Sequence, residues 1–148
     1  FRGWRFYIAI THSGQVMGVN SKLPDGRHFL MWDFDDIGEE DVKRALVEVQ
    51  RRFRLARILL LNTGLENYWH AYCFQAHSWP DTLRILASTD GLDKVFFKIG
   101  AIREYFTLRI TPKKRRDFKT AIILPSRWKE DVDPYKLNNF VTYWTKRM

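Results

Sequence analysis

Cysteine is nearly absent from this sequence: Cys73 stands alone. A single thiol excludes an internal disulfide framework and a thiolate zinc site, and it suits a reducing compartment. No apolar stretch approaches the ~20 residues that a membrane-spanning helix requires. The first residues also lack the charged-then-apolar order of a signal peptide. A membrane is therefore not an expected partner. The expected location is intracellular, and cytoplasmic for a prokaryotic, plasmid- or virus-encoded protein. Repeats, low-complexity tracts and linkers are missing too. Acidic charge is in deficit: 17 Asp and Glu face 25 Lys and Arg, for a net charge of +8. Such a balance favours a polyanionic partner, with nucleic acid ahead of an anionic membrane surface.

What is present is a globular composition. Of 148 residues, 45% are hydrophobic and 16% aromatic, enough for one domain with a sizeable core. The chain is read as a single domain over 1–148. Because it begins at Phe1, it is expected to be a fragment of a larger protein. "WRFYIAITHSGQVMGV" reads as two short strands around a turn at Ser13-Gly14, and "LPDGRH" is turn chemistry. A strand follows over 29–35. Val42, Ala45, Leu46, Val49 and Phe53 recur at helical spacing over 39–54, with acids in the first turn and arginines in the last. "ARILLLNTG" and "YWHAYCF" read as strands joined as a hairpin, and "WPDTLRILAST" as a short helix with Pro80 near its start. "KVFFKI", "YFTLRIT" and "TAIILPS" read as further strands. Asp133-Pro134 is expected to cap a last helix with Leu137, Phe140, Val141 and Trp144 on its apolar face. The expected fold is α+β, a mixed or antiparallel sheet with flanking helices.

The stretch "HFLMWDFDD" holds an oddity, since aspartates interrupt the most apolar run of a basic chain. A buried carboxylate without a partner is costly. Residues two apart on a strand share a face, so Leu30, Trp32 and Phe34 point one way while Met31, Asp33 and Asp35 point the other. Two neighbouring carboxylates repel unless a cation sits between them. Hard oxygen ligands of this kind suit Mg²⁺ or Mn²⁺. Capping of the next helix accounts for Asp36, or for Asp35, but not for Asp33 inside the apolar run.

Further along, Tyr68, His70 and Tyr72 share one strand face. His70 is either a structural histidine among aromatics or a donor to a phosphate oxygen. His12, His28 and His77 receive no role. Residues 103–119 carry seven basic side chains against Glu104 and Asp117. Arg109 lies mid-strand between apolar neighbours, which implies an anionic partner: a phosphate or one of the aspartates. Lys113, Lys114, Arg115 and Arg116 follow Pro112 in a loop suited to a phosphodiester backbone, or simply to solvent.

An Asp-x-Asp strand, a helix, two strands bearing a histidine and then a basic strand: this order resembles the archaeo-eukaryotic primase superfamily over about residues 5–125. "LMWDFDD" is similar to that family's first motif. "TGLENYWHAY" is similar to its small-x-His motif, although Tyr68 stands where the small residue is usual and Gly64 alone remains of the glycine-rich turn. The resemblance implies an RRM-like catalytic core and a third metal carboxylate, for which Asp93 is preferred over Glu104. It implies two-metal nucleotidyl transfer by a DNA primase or polymerase, with Asp33, Asp35 and Asp93 holding the ions. His70, Arg109, Lys113 and Lys114 would bind substrate phosphates or template. The implied partners are single-stranded DNA and nucleoside triphosphates, with a helicase or accessory primase domain beside them. Two other readings stand next to this one: a non-catalytic RRM-like nucleic-acid-binding module, and a metal-dependent nuclease using Asp117-x-Lys119. No His-x-His pair exists to support a rolling-circle endonuclease.

Overall fold

The computed structural model describes residues 13–111 and 118–146. In chain order the elements are β1 (Ser13–Asn20), β2 (His28–Asp35), α1 (Glu39–Phe53), β3 (Ile58–Asn62), β4 (Tyr68–His77), α2 (Trp79–Ala87), α3 (Lys94–Arg103), β5 (Thr107–Arg109), β6 (Ala121–Leu124) and β7 (Phe140–Lys146). The strands form two sheets, one in the order β5-β1-β7 and the other β2-β4-β3-β6. Every pairing among the described residues is antiparallel. The chain is therefore α+β, and the mixed sheet left open by the sequence resolves to antiparallel.

Alternation divides the four-stranded sheet into two faces. One carries Leu30, Trp32, Phe34, Leu60, Ala71 and Cys73, all fully buried. Side-chain hydrogen bonds tie the helix ends to this face. Trp32 Nε1 donates to Thr89 Oγ1 just beyond α2 (3.0 Å), and Trp69 Nε1 to Ile37 O just before α1 (3.1 Å). Gln50 on α1 donates to both Ala56 O and Leu124 O. The Cys73 thiol points at Ala56 O (3.6 Å), and burial pushes its pKa up to about 12. The opposite face looks toward the three-stranded sheet, and two cavities lie between them. One, of about 320 Å³, is apolar and takes Phe29, Tyr72 and Phe74 from one side and Val19 and Phe140 from the other. The second is polar and is described below.

Four expectations fail. "KVFFKI" is helix α3, not a strand: Asp93 caps it, its carboxylate accepting from Phe96 N (2.7 Å). The β-prone composition is overridden because Phe96 and Phe97 pack on Phe106, ring centroids 5.0 and 6.2 Å away. The helix expected after Asp133-Pro134 is a single 3-10 turn, Pro134–Lys136, and strand β7. There the ladder with β1, from Ser13↔Lys146 to Val19↔Phe140, outcompetes the helical spacing. Ser13 and Gly14 lie inside β1 instead of forming a turn, and the strand expected before them is outside the described residues. Asp36 adopts a left-handed backbone (φ 58°), while Gly38 is the N-cap of α1 and makes no side-chain cap bond.

Gly100 faces Phe106 so closely that a Cβ there would fall within contact of the ring. Phe106 is only 1% exposed and cannot swing aside. Gly100→Ala should lower stability by about 1–3 kcal/mol despite the better helix propensity of alanine. Urea unfolding checks this, and a stabilised variant would contradict the packing described.

Candidate active site

Strand alternation and one main-chain hydrogen bond assemble the site. Asp33 and Asp35 leave the same face of β2. The N–H of Asp93 donates to Asp33 O at 2.9 Å, pinning the start of α3 against that strand. One carboxylate oxygen each of Asp33, Asp35 and Asp93 then lie within 4.8 Å of one another. Glu104, the alternative third carboxylate, is the C-cap at the far end of α3 and stands outside this group.

Asp33 is partly buried, with its side chain 23% exposed. Burial first, then the charges of Asp35 and Asp93, push its carboxyl up to about 7. His70 sits opposite it in the β2–β4 register, with Nε2 3.6 Å from Asp33 Oδ1. Burial pushes the imidazole down to about 4; the nearby Arg109 backbone opposes this and the Arg109 charge reinforces it. At neutral pH the ring is therefore uncharged and does not neutralise Asp33. His70 can act as a neutral N–H donor, and the protonated form is disfavoured. Its Nδ1 is buried and makes no hydrogen bond among the described residues.

Asp33 and Asp35 border a cavity of about 340 Å³ between the two sheets, whereas Asp93 lines the smaller space beside α3. Tyr68, His70 and Phe118 line the first cavity along with Thr107 and Arg109 of β5. Arg109 is half-buried and makes no ion pair among the described residues, so the aspartate partner expected for it is not found there. The smaller space, of about 290 Å³, lies between α3 and Thr107, bordered by Arg103 and Tyr105. Asp33 and Thr107 touch both spaces. Thr107 carries no signal in the sequence, because only the β1–β5 pairing, Asn20↔Thr107, brings it here. Lys113, Lys114 and Asp117 lie outside the described residues. The residues flanking that segment, Thr111 and Phe118, both line the first cavity.

Comparison with known protein families, curated proteins and solved structures finds no match. Among the described residues, no helix is long and apolar enough to cross a membrane.

The raised pKa of Asp33 has a definite sign in stability. Its folded value, about 7, exceeds the ordinary carboxylate value of 3.8, so the folded state holds a proton that the unfolded state has already lost between those pH values. That contribution is complete below pH ~4 and disappears as pH rises through ~7, costing up to roughly 4 kcal/mol. His70 runs the other way over about pH 4–6.5, so the wild-type curve alone does not isolate Asp33. The difference between Asp33→Asn and wild type does. In EDTA, the variant's stability advantage should grow from pH 4 to 7 and then level off. A difference that stays flat in urea titrations across this range would contradict a desolvated Asp33.

Proposed function

We propose that this chain transfers nucleotidyl groups to a nucleic-acid 3′-hydroxyl, as a primase or polymerase does on single-stranded DNA. The supporting observation is the convergence of three carboxylates within 4.8 Å. Partly buried Asp33 is penalised first by desolvation and then by the charges of the other two. A divalent cation held by the three would relieve that repulsion. The donor set is all hard oxygen, which fits Mg²⁺ or Mn²⁺ and not a softer metal.

Asp33, Asp35 and Asp93 would hold the ions. When bound, divalent ions neutralise the triphosphate and make the attacking hydroxyl a better nucleophile. The chain's own residues do the positioning. Arg109, half-buried at the cavity wall and without an ion pair among the described residues, would balance phosphate charge. His70, neutral and facing the same space, would donate one hydrogen bond to a phosphate oxygen. Lys113 and Lys114 are proposed to contact triphosphate or template. The second cavity, reached past Asp33 and Thr107, gives room for an incoming nucleotide beside the growing end. On this reading the two sheets and their helices form an RRM-like catalytic core, with nucleoside triphosphates and a single-stranded template as partners and a helicase or accessory primase domain as a further one.

Extension of a labelled primer on single-stranded DNA, with dNTPs or NTPs and Mn²⁺ or Mg²⁺, tests the proposal. Extension should fall at least about 10²-fold in Asp33→Ala/Asp35→Ala, and a smaller loss is expected in Arg109→Ala. Shortening of the DNA would instead indicate a nuclease. Binding with no turnover, unchanged in the double variant, would leave only a binding module.

A further inference from the structure

We propose a second nucleic-acid contact surface, at the edge of the four-stranded sheet farthest from the carboxylates, that holds the sugar-phosphate backbone of a single strand. In the order β2-β4-β3-β6 the carboxylates stand on β2 and this surface borders β6, three strand spacings or about 14 Å away. It is a cleft of about 560 Å³ between the C-terminal turn of α1 and the segment after β6, where Arg51, Arg54, Ser126, Arg127 and Trp128 meet.

Three features separate this cleft from an ordinary solvated charge run. First, no carboxylate lines it, and Arg51, Arg54 and Arg127 make no ion pairs among the described residues. Glu130, the nearest acid in sequence to Trp128, is paired with Arg57. Second, the arginines are ordered by an aromatic ring: Arg54 Cζ lies 5.6 Å and Arg127 Cζ 5.1 Å from the Trp128 ring centroid. Stacked guanidiniums keep their edges free for phosphate oxygens. Trp128 itself is 38% exposed, a platform of the kind on which bases stack. Third, the segment is fixed from below, since Ser126 Oγ donates to Leu55 O (2.6 Å) and accepts from Trp128 N (3.1 Å).

The helix dipole explains basic residues at the end of α1. It does not explain Arg127 and Trp128, which arrive from more than seventy residues later. A polymer fits better than a free anion because the cleft does not end at one pocket. It continues past Val47 and Arg51 into a second recess that adds Arg52, beside Glu48 and beside Arg44, which pairs with Asp41. A strand can follow such a row of guanidiniums, whereas a single phosphate would use only part of it. The inference is independent of nucleotidyl transfer, because no divalent ion takes part.

The test is anisotropy of a fluorescein-labelled oligo-dT with the whole chain in EDTA over a range of NaCl. Arg51→Glu/Arg127→Glu should weaken binding at least about tenfold and flatten the plot of log affinity against log salt by about 1.4, the value for two lost single-strand contacts. Trp128→Ala should weaken binding while leaving the salt slope nearly unchanged. Arg84→Glu/Lys136→Glu, with the same change in net charge but away from the cleft, should lose much less. Equal losses in the cleft and control pairs, or full binding by Trp128→Ala, would overturn the proposal. Circular dichroism of each variant guards against misfolding. Pyrophosphate that displaces the oligonucleotide at matched phosphate concentration would reassign the cleft to a free anion and overturn the strand reading. Asp33→Asn/Asp35→Asn should bind normally in EDTA, so failure here and failure of the catalytic reading remain distinguishable.

Discussion

The hydrogen bond from Asp93 N to Asp33 O joins two parts of the chain sixty residues apart. It places the first turn of α3 against the edge of β2, and the side-chain cap on Phe96 N fixes the Asp93 carboxylate at the same point. Without that bond Asp33 and Asp35 would be two acids at a strand end. With it, a third carboxylate enters their field, and partly buried Asp33 feels the charge of both neighbours. The packing of Gly100 and Phe106 serves the same arrangement from behind, because it seats α3 against the core.

Strand pairing then decides what faces the carboxylates. β1 lies between β5 and β7, with Gly18 opposite both Arg109 and Val141. A Cβ at Gly18 would crowd Leu108 O and Thr107, so the close approach of β5 depends on glycine there. This approach brings Thr107 and Arg109 across from His70 and Asp33. The chain thus sets a cationic strand over an acidic one, with a polar cavity between them. A buried neutral histidine supplies a hydrogen-bond donor there without adding charge.

The legible part of this arrangement was the part with a local period. The two-residue alternation of β2 put Asp33 and Asp35 on one face, and the four-residue spacing of α1 marked its core side. Residues 28–35 and 39–53 accordingly match their expected forms closely. Only the resemblance to a family motif points to Asp93, on the premise that a strand follows it. The structure keeps the residue in the group but replaces the strand with a helix. α3 misleads because Val95, Ile99 and Ile102 are apolar and yet exposed, so its pattern carries little amphipathic signal. β7 misleads because its true partner lies more than a hundred residues upstream, beyond any local window. Thr107 and Trp128 were invisible for the same reason: each acquires meaning only from a neighbour distant in sequence.

The lone thiol of Cys73 is fully buried on the helix-covered face of the sheet and held far from its reactive form. A thiol kept protonated and out of solvent neither exchanges disulfides nor takes up alkylating reagents at a useful rate. The folded chain is thereby chemically silent toward sulfhydryl probes. A cysteine introduced at any exposed position would report alone, and the appearance of Cys73 reactivity would be a direct signal that the β2–β4–β3 sheet had opened.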